Sequence, residues 1–193
     1  ETTVDELCKW IEKVYIKNER DGFNGNRLFL EAKKETMGPY PYRKGPPFFE
    51  QKTFSKMRCD QAGLFAWRDS TTQDAKLKKE YAQEADFAFR QAFALGPISS
   101  EVAVRYVLYL NSNHRFDDAK LIAQTFSKTS PDQKDLSRRL ILQSLAIEER
   151  HWLSKKEYKK ALDAVLERAE LEKISPDLER RIEAYRSLIK SNE

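Results

Sequence analysis

Glu84-Ala85-Asp86-Phe87-Ala88-Phe89-Arg90-Gln91-Ala92-Phe93-Ala94-Leu95-Gly96-Pro97 is the stretch whose reading decides the fold. Ala85, Phe89 and Ala92 follow one another at steps of four and three, which is one face of a helix, and Gly96-Pro97 stops that helix. Thirty-four residues further on the pattern returns as Ala119, Ala123, Phe126 and Pro131. A return at such an interval means that one supersecondary unit is used more than once, with small residues where helices approach closely.

That interval is the signature of the tetratricopeptide repeat, and Phe116-Asp117-Asp118-Ala119 resembles the opening of the repeat's second helix. The resemblance implies an all-α, right-handed superhelix of helix pairs whose work is holding or binding. Pairs are expected over 53–95, 99–131 and 132–173, with a capping helix over 177–190. Tyr158-Lys159-Lys160-Ala161 repeats the aromatic opening forty-two residues beyond Phe116-Asp117-Asp118-Ala119. The eight extra residues are about two helical turns, so the first helix of that pair should be elongated.

Working outward, Thr3 and Glu6 form a capping-box pattern ahead of Val4, Leu7, Cys8, Ile11, Val14 and Tyr15, an amphipathic first helix. Residues 18–26, with Gly22 and Gly25, break it, and a short helix is expected over 27–34. Met37 to Phe49 holds four prolines and four aromatics, which predicts an extended strap. Tyr40, Tyr42, Phe48 and Phe49 are too apolar to leave in water, so the strap should dock on the helices, with Phe48 and Phe49 buried. The chain thus divides into residues 1–52, a helix plus strap, and 53–193, the repeat domain. From Thr53 the helical period runs through Phe54, Met57, Ala62, Leu64, Phe65 and Trp67, which are expected to face the core. The same expectation covers Phe87, Phe89 and Phe93 on the next helix, and Leu178, Ile182, Tyr185 and Leu188 on the last.

The 193 residues suffice for one core or about four helix pairs. With 40% hydrophobic and 34% charged residues, the chain suits amphipathic helices rather than a disordered tail. No run approaches the roughly 20 apolar residues of a membrane span, so no insertion by this chain is expected. Glu at position 1 suggests a piece of a longer protein. The net charge of +4 is spread evenly, which argues against the basic stripe of a nucleic-acid binder. Cys8 and Cys59 lie on helical patterns and suit buried thiols; a disulfide between them stays open in an oxidising compartment.

Catalytic patterns are missing from the sequence. His114 and His151 have no Cys or second His at ligand spacing, and no phosphate loop or nucleophile elbow occurs. Asp117-Asp118 and Glu148-Glu149 read as solvated faces, and Lys155, Lys156, Lys159 and Lys160 as salt-bridged surface. No metal or cofactor is expected.

A second resemblance rests on Gly63-Leu64-Phe65-Ala66-Trp67-Arg68 followed by Glu84 to Leu95. These resemble the soluble C-terminal region of a bacterial membrane-protein family, long filed as of unknown function. The N-terminal part of that family is similar to multi-spanning glycosyltransferases that use lipid-linked sugars, including protein O-mannosyltransferases. The resemblance implies an extracytoplasmic, periplasmic domain beside a membrane enzyme and carries no catalytic residue over. Taken together, a non-catalytic domain is expected, binding a protein or peptide or its parent's own membrane part. Arg105, Tyr106, Tyr109 and Asn113 are the candidate lining of its groove. The alternatives are an enzyme fragment with an unrecognised site and a nucleic-acid-binding repeat.

Overall fold

The computed structural model describes residues 2–17, 46–172 and 174–191, with the backbone alone for 46–50. Among these residues there is no strand, and eight α-helices follow in order. They are α1 (Val4–Ile11), α2 (Pro46–Thr71), α3 (Ala75–Leu95), α4 (Ser100–Ser112), α5 (Phe116–Thr129), α6 (Lys134–Ser154), α7 (Tyr158–Leu171) and α8 (Pro176–Lys190). A π-helical turn, Glu12–Ile16, continues α1.

The helix ends follow from side chains beside otherwise unpaired amides. Thr3 and Glu6 make the capping box, with the Glu6 amide donating to Thr3 Oγ1 at 3.2 Å and the Thr3 amide to Glu6 Oε2 at 2.8 Å. Asp74 Oδ1 accepts from the Lys76 and Leu77 amides at 2.8 and 3.2 Å, and Ser175 Oγ from the Leu178 amide at 3.2 Å. α2 starts at Pro46, seven residues before the expected Thr53, so 46–49 is helical and not extended. A proline in the first turn lacks only an amide that has no partner there anyway. Phe48 and Phe49 fall in that turn; the docking expected for them and for Tyr40 and Tyr42 lies outside the described residues. So does the helix expected over 27–34.

Consecutive helices pack as neighbours from α2 to α8, and α2 packs on α4 as α4 does on α6. α1 lies against α3 and α5, with Cys8 Sγ 4.0 Å from the Leu121 carbonyl, so residues 2–17 share the larger core with the helices that follow. That core centres on α4, where Tyr106 stacks on Phe89 at 5.3 Å between ring centroids. A second, smaller core joins α7 and α8 through Ala161, Val165, Leu178, Ile182 and Tyr185. Leu188, expected inside, is exposed one turn beyond it.

The turns α4–α5 and α6–α7 have one geometry, forty-two residues apart. His114 and Lys156 adopt φ of 58° and 61°, and the next amides, Arg115 and Glu157, both bond 2.9 Å back to the carbonyls of Leu110 and Trp152. This is the left-handed helix ending usually given to glycine. α6 has 21 residues against 13 for α4, which is the elongation that the spacing called for.

Ala85 and Ala119 are both completely buried. Ala119→Leu, or Ala85→Leu, should therefore overpack a helix contact and lower stability by roughly 1–3 kcal/mol in urea denaturation. Wild-type stability in both variants would contradict the close approach.

Candidate interaction surface

α2 keeps Ala62 and Phe65 inside as expected but inverts the facing of the other four. Its buried residues are Ser55, Cys59 and Ala62, small side chains at steps of four and three, whereas Phe54 (58% exposed), Met57 (61%), Leu64 (48%) and Trp67 (61%) face outward. Close approach explains the inversion. Ser55 donates to the Ala92 carbonyl at 2.7 Å, and a Cβ on Gly96 would stand 2.4 Å from Ser55 Oγ. On the other flank, a Cβ on Gly63 would stand 2.4 Å from the Arg105 guanidinium. Large side chains do not fit at the closest approach between α2 and its neighbours, so four are left on the open side, while Phe65 packs beside it against Tyr81. Phe87, also expected in the core, is likewise exposed, while Phe89 and Phe93 are buried.

The four residues expected to line a groove on α4 are not an open lining. Tyr106 is completely buried and Tyr109 nearly so, its hydroxyl donating to the Ala82 carbonyl at 2.8 Å. Burial raises the Tyr109 pKa to about 12, helped by the Asp86 charge. Asn113 folds back onto the Tyr109 carbonyl at 2.8 Å. Arg105 bridges Asp60 of α2 at 2.6 Å and Glu101 at 3.4 Å. Helices α2, α3, α5 and α6 all pack on α4, so its aromatic face is core. What Arg105 does provide is a stitch between α2 and α4. Leu108, one turn further along α4, is 40% exposed.

Buried charges tie the helices together. Asp86 Oδ1 accepts from Arg115 at 2.6 Å and from the Tyr106 hydroxyl at 3.4 Å, and Asp86 Oδ2 lies 3.2 Å from Arg90. Lys120 meets Glu167 at 2.8 Å, Asp117 at 3.2 Å and Glu148 at 3.3 Å. Burial pulls the Lys120 pKa down, but the Glu167 hydrogen bond and the Glu148 and Glu167 charges outweigh it, and the net shift is upward. Glu149 bonds Arg181 through both oxygens and accepts from the Tyr185 hydroxyl at 2.7 Å.

His114 and His151, which no spacing connects in sequence, meet with ring centroids 3.9 Å apart. Together with Phe116 and Trp152 they make an aromatic cluster beside an open cleft of about 290 Å³, lined also by Arg115, Asp117, Asp118 and Glu148. Partial burial, then the neighbouring His114 and Lys155, lower the His151 pKa. Among the described residues no three His, Cys, Asp or Glu side chains converge as a metal site.

Cys8 and Cys59 are free and buried, and burial pushes both thiols up to about 11. Their folded pKa lies above the unfolded value of 9.0, so the native state holds protons that the unfolded chain releases. Stability should be insensitive to these thiols below about pH 9 and fall as the pH rises towards 11. Replacing both with Ala should flatten that decline in pH-resolved urea melts. Rapid labelling of either thiol in the native protein at pH 8 would contradict it.

Comparison of the chain with protein-family models, with curated proteins and with solved structures finds no match in any of the three.

Proposed function

We propose that the chain is a non-catalytic interaction module, a right-handed stack of tetratricopeptide-like helix pairs that holds a protein partner on the outer face of α2. The 34-residue return, the packing of α2 on α4 and α4 on α6, and the shared geometry of the two turns support the repeat reading. One observation carries the functional reading: Phe54, Met57, Leu64 and Trp67 expose large apolar side chains along one helix. Single exposed apolar residues are ordinary, whereas several large ones along one open helix face mark an interaction site. The sequence resemblance supports a setting outside the cytoplasm, as the C-terminal part of a glycosyltransferase-like membrane protein. No helix among the described residues is long and apolar enough to cross a membrane, which fits a part that stands clear of the bilayer.

The test is site-specific photo-crosslinking in the producing cell. A photoreactive residue in place of Met57 or Leu64 should give one dominant adduct, identified by mass spectrometry as a protein or as the parent's own membrane part. The same residue in place of Lys159, exposed on α7, should give none. No adduct from either α2 position would end the proposal.

A further inference from the structure

If α2 is the docking face, its charges specify what docks there. Lys52, Lys56, Arg58 and Arg68 all lie on α2, and none has a carboxylate partner among the described residues. Arg58 donates to Gln61 at 2.6 Å, and the Arg68 guanidinium sits 5.7 Å from the centre of the Tyr81 ring. Asp60, between Met57 and Leu64, is already engaged by Arg105 at 2.6 Å. The half-buried cations that join the other helices are paired. Arg105, Arg115, Lys120 and Arg181 each meet at least one carboxylate. Cations without counter-charges beside exposed apolar groups form one surface of a complementary pair.

Two occupants fit that surface poorly. Residues 18–45, which join α1 to α2, carry six basic and four acidic side chains and would add positive charge. A second copy presenting the same face would set like charges against each other, which is repulsive. The apolar strip from Phe54 to Trp67 is about 20 Å long at 1.5 Å per residue, close to four helical turns. Its apolar residues recur at steps of three, seven and three, the spacing at which a partner helix offers its own ridge.

We infer that α2 is a docking strip for an acidic amphipathic helix. The partner segment has apolar residues at every third or fourth position, flanked by Asp and Glu, and lies along α2 from Phe54 to Trp67. Its apolar ridge covers Met57 and Leu64, and its carboxylates reach Lys56, Arg58 and Arg68. The charge pairs at the rim set orientation and on-rate and make binding weaken with salt.

The probe is a labelled peptide of about 18 residues, long enough to span the strip, with Leu at the helical ridge positions and Glu on both flanks. A control peptide keeps every Leu and carries Lys in place of Glu. With the intact chain, the Glu peptide should bind in fluorescence anisotropy, and the Lys peptide should not. Leu64→Ala with Trp67→Ala, and separately Lys56→Glu with Arg58→Glu, should each weaken the Glu peptide about tenfold or more. Raising ionic strength from about 0.05 to about 0.5 M should weaken it too. Thermal melts of both double variants should match wild type, since Lys56, Leu64 and Trp67 are exposed and the half-buried Arg58 bonds the exposed Gln61 of its own helix. If both peptides bind equally, the docking face stands and the inference about charge falls. If neither peptide binds but phosphatidylglycerol vesicles do, the partner is an anionic membrane and the inference falls. If nothing binds, the docking face itself falls with it.

Discussion

Asp86→Ala should cost about 3 kcal/mol of unfolding free energy, the largest loss expected from any single polar substitution in this chain. Asp86 is the carboxylate shared by Arg90, Arg115 and the Tyr106 hydroxyl, and its side chain is 16% exposed. Removing one member of a buried ionic group leaves the rest without compensation, worth about 3–5 kcal/mol. The lower end applies because the Arg115 side chain still reaches water and stays bonded to Asp118 at 2.8 Å. Asp86→Asn, which keeps the volume and one acceptor, should recover part of the loss. Urea denaturation at neutral pH measures both variants. A loss under about 1 kcal/mol for Asp86→Ala would mean that α3, α4 and α5 are held by apolar packing alone.

Glu149→Ala should act on one end of the molecule instead. Glu149 joins α6 to Arg181 and Tyr185 of α8, where the carboxylate is buried while the Arg181 side chain is about a third exposed. Hydrogen bonds to a charged group are worth roughly 1.5–3 kcal/mol, and Arg181 can turn to solvent once its partner is gone. The cost should therefore be about 2 kcal/mol, and it should be local. α8 rests on the smaller core, with Leu178, Ile182 and Tyr185 as its contribution. In hydrogen exchange, α8 should lose protection while α3 and α4 keep theirs. Uniform loss across the chain would show that the two cores unfold as one.

The all-helical class, the packing of neighbouring helices and the elongated α6 were legible in sequence because they depend on spacing, and spacing survives whatever the partners are. Helix facing on α2 was legible only for Ala62 and Phe65. That helix carries apolar residues on one side and small ones on the other, and hydropathy favours the large ones for the core. Close approach to α3 and α4 reverses the choice, since Ser55 and Gly63 sit where a larger group would collide with Gly96 and Arg105. Size decided the matter, and a hydropathy pattern does not weigh size. The start of α2 at Pro46 was hidden by reading proline as a breaker when it stands in the first turn, where it breaks nothing. Tyr106 and Tyr109 looked like a binding face because aromatics serve both purposes. Only the four helices packed around α4 assign them to the interior. His114 and His151 had no local signal at all, since they meet through tertiary structure.

That meeting has its origin in the length of α6. α4 and α6 begin thirty-four residues apart and end forty-two apart, so the additional two turns lie wholly at the far end of α6. They carry Glu148, His151 and Trp152 alongside the preceding turn, where His114 and Phe116 sit, and a cleft opens between them. The turn that follows keeps its geometry, and Ala161 is completely buried as Ala119 is. An insertion of about two helical turns therefore leaves the stacking contacts intact while adding a concavity. A stack of helices can acquire new relief in this way by lengthening one rod.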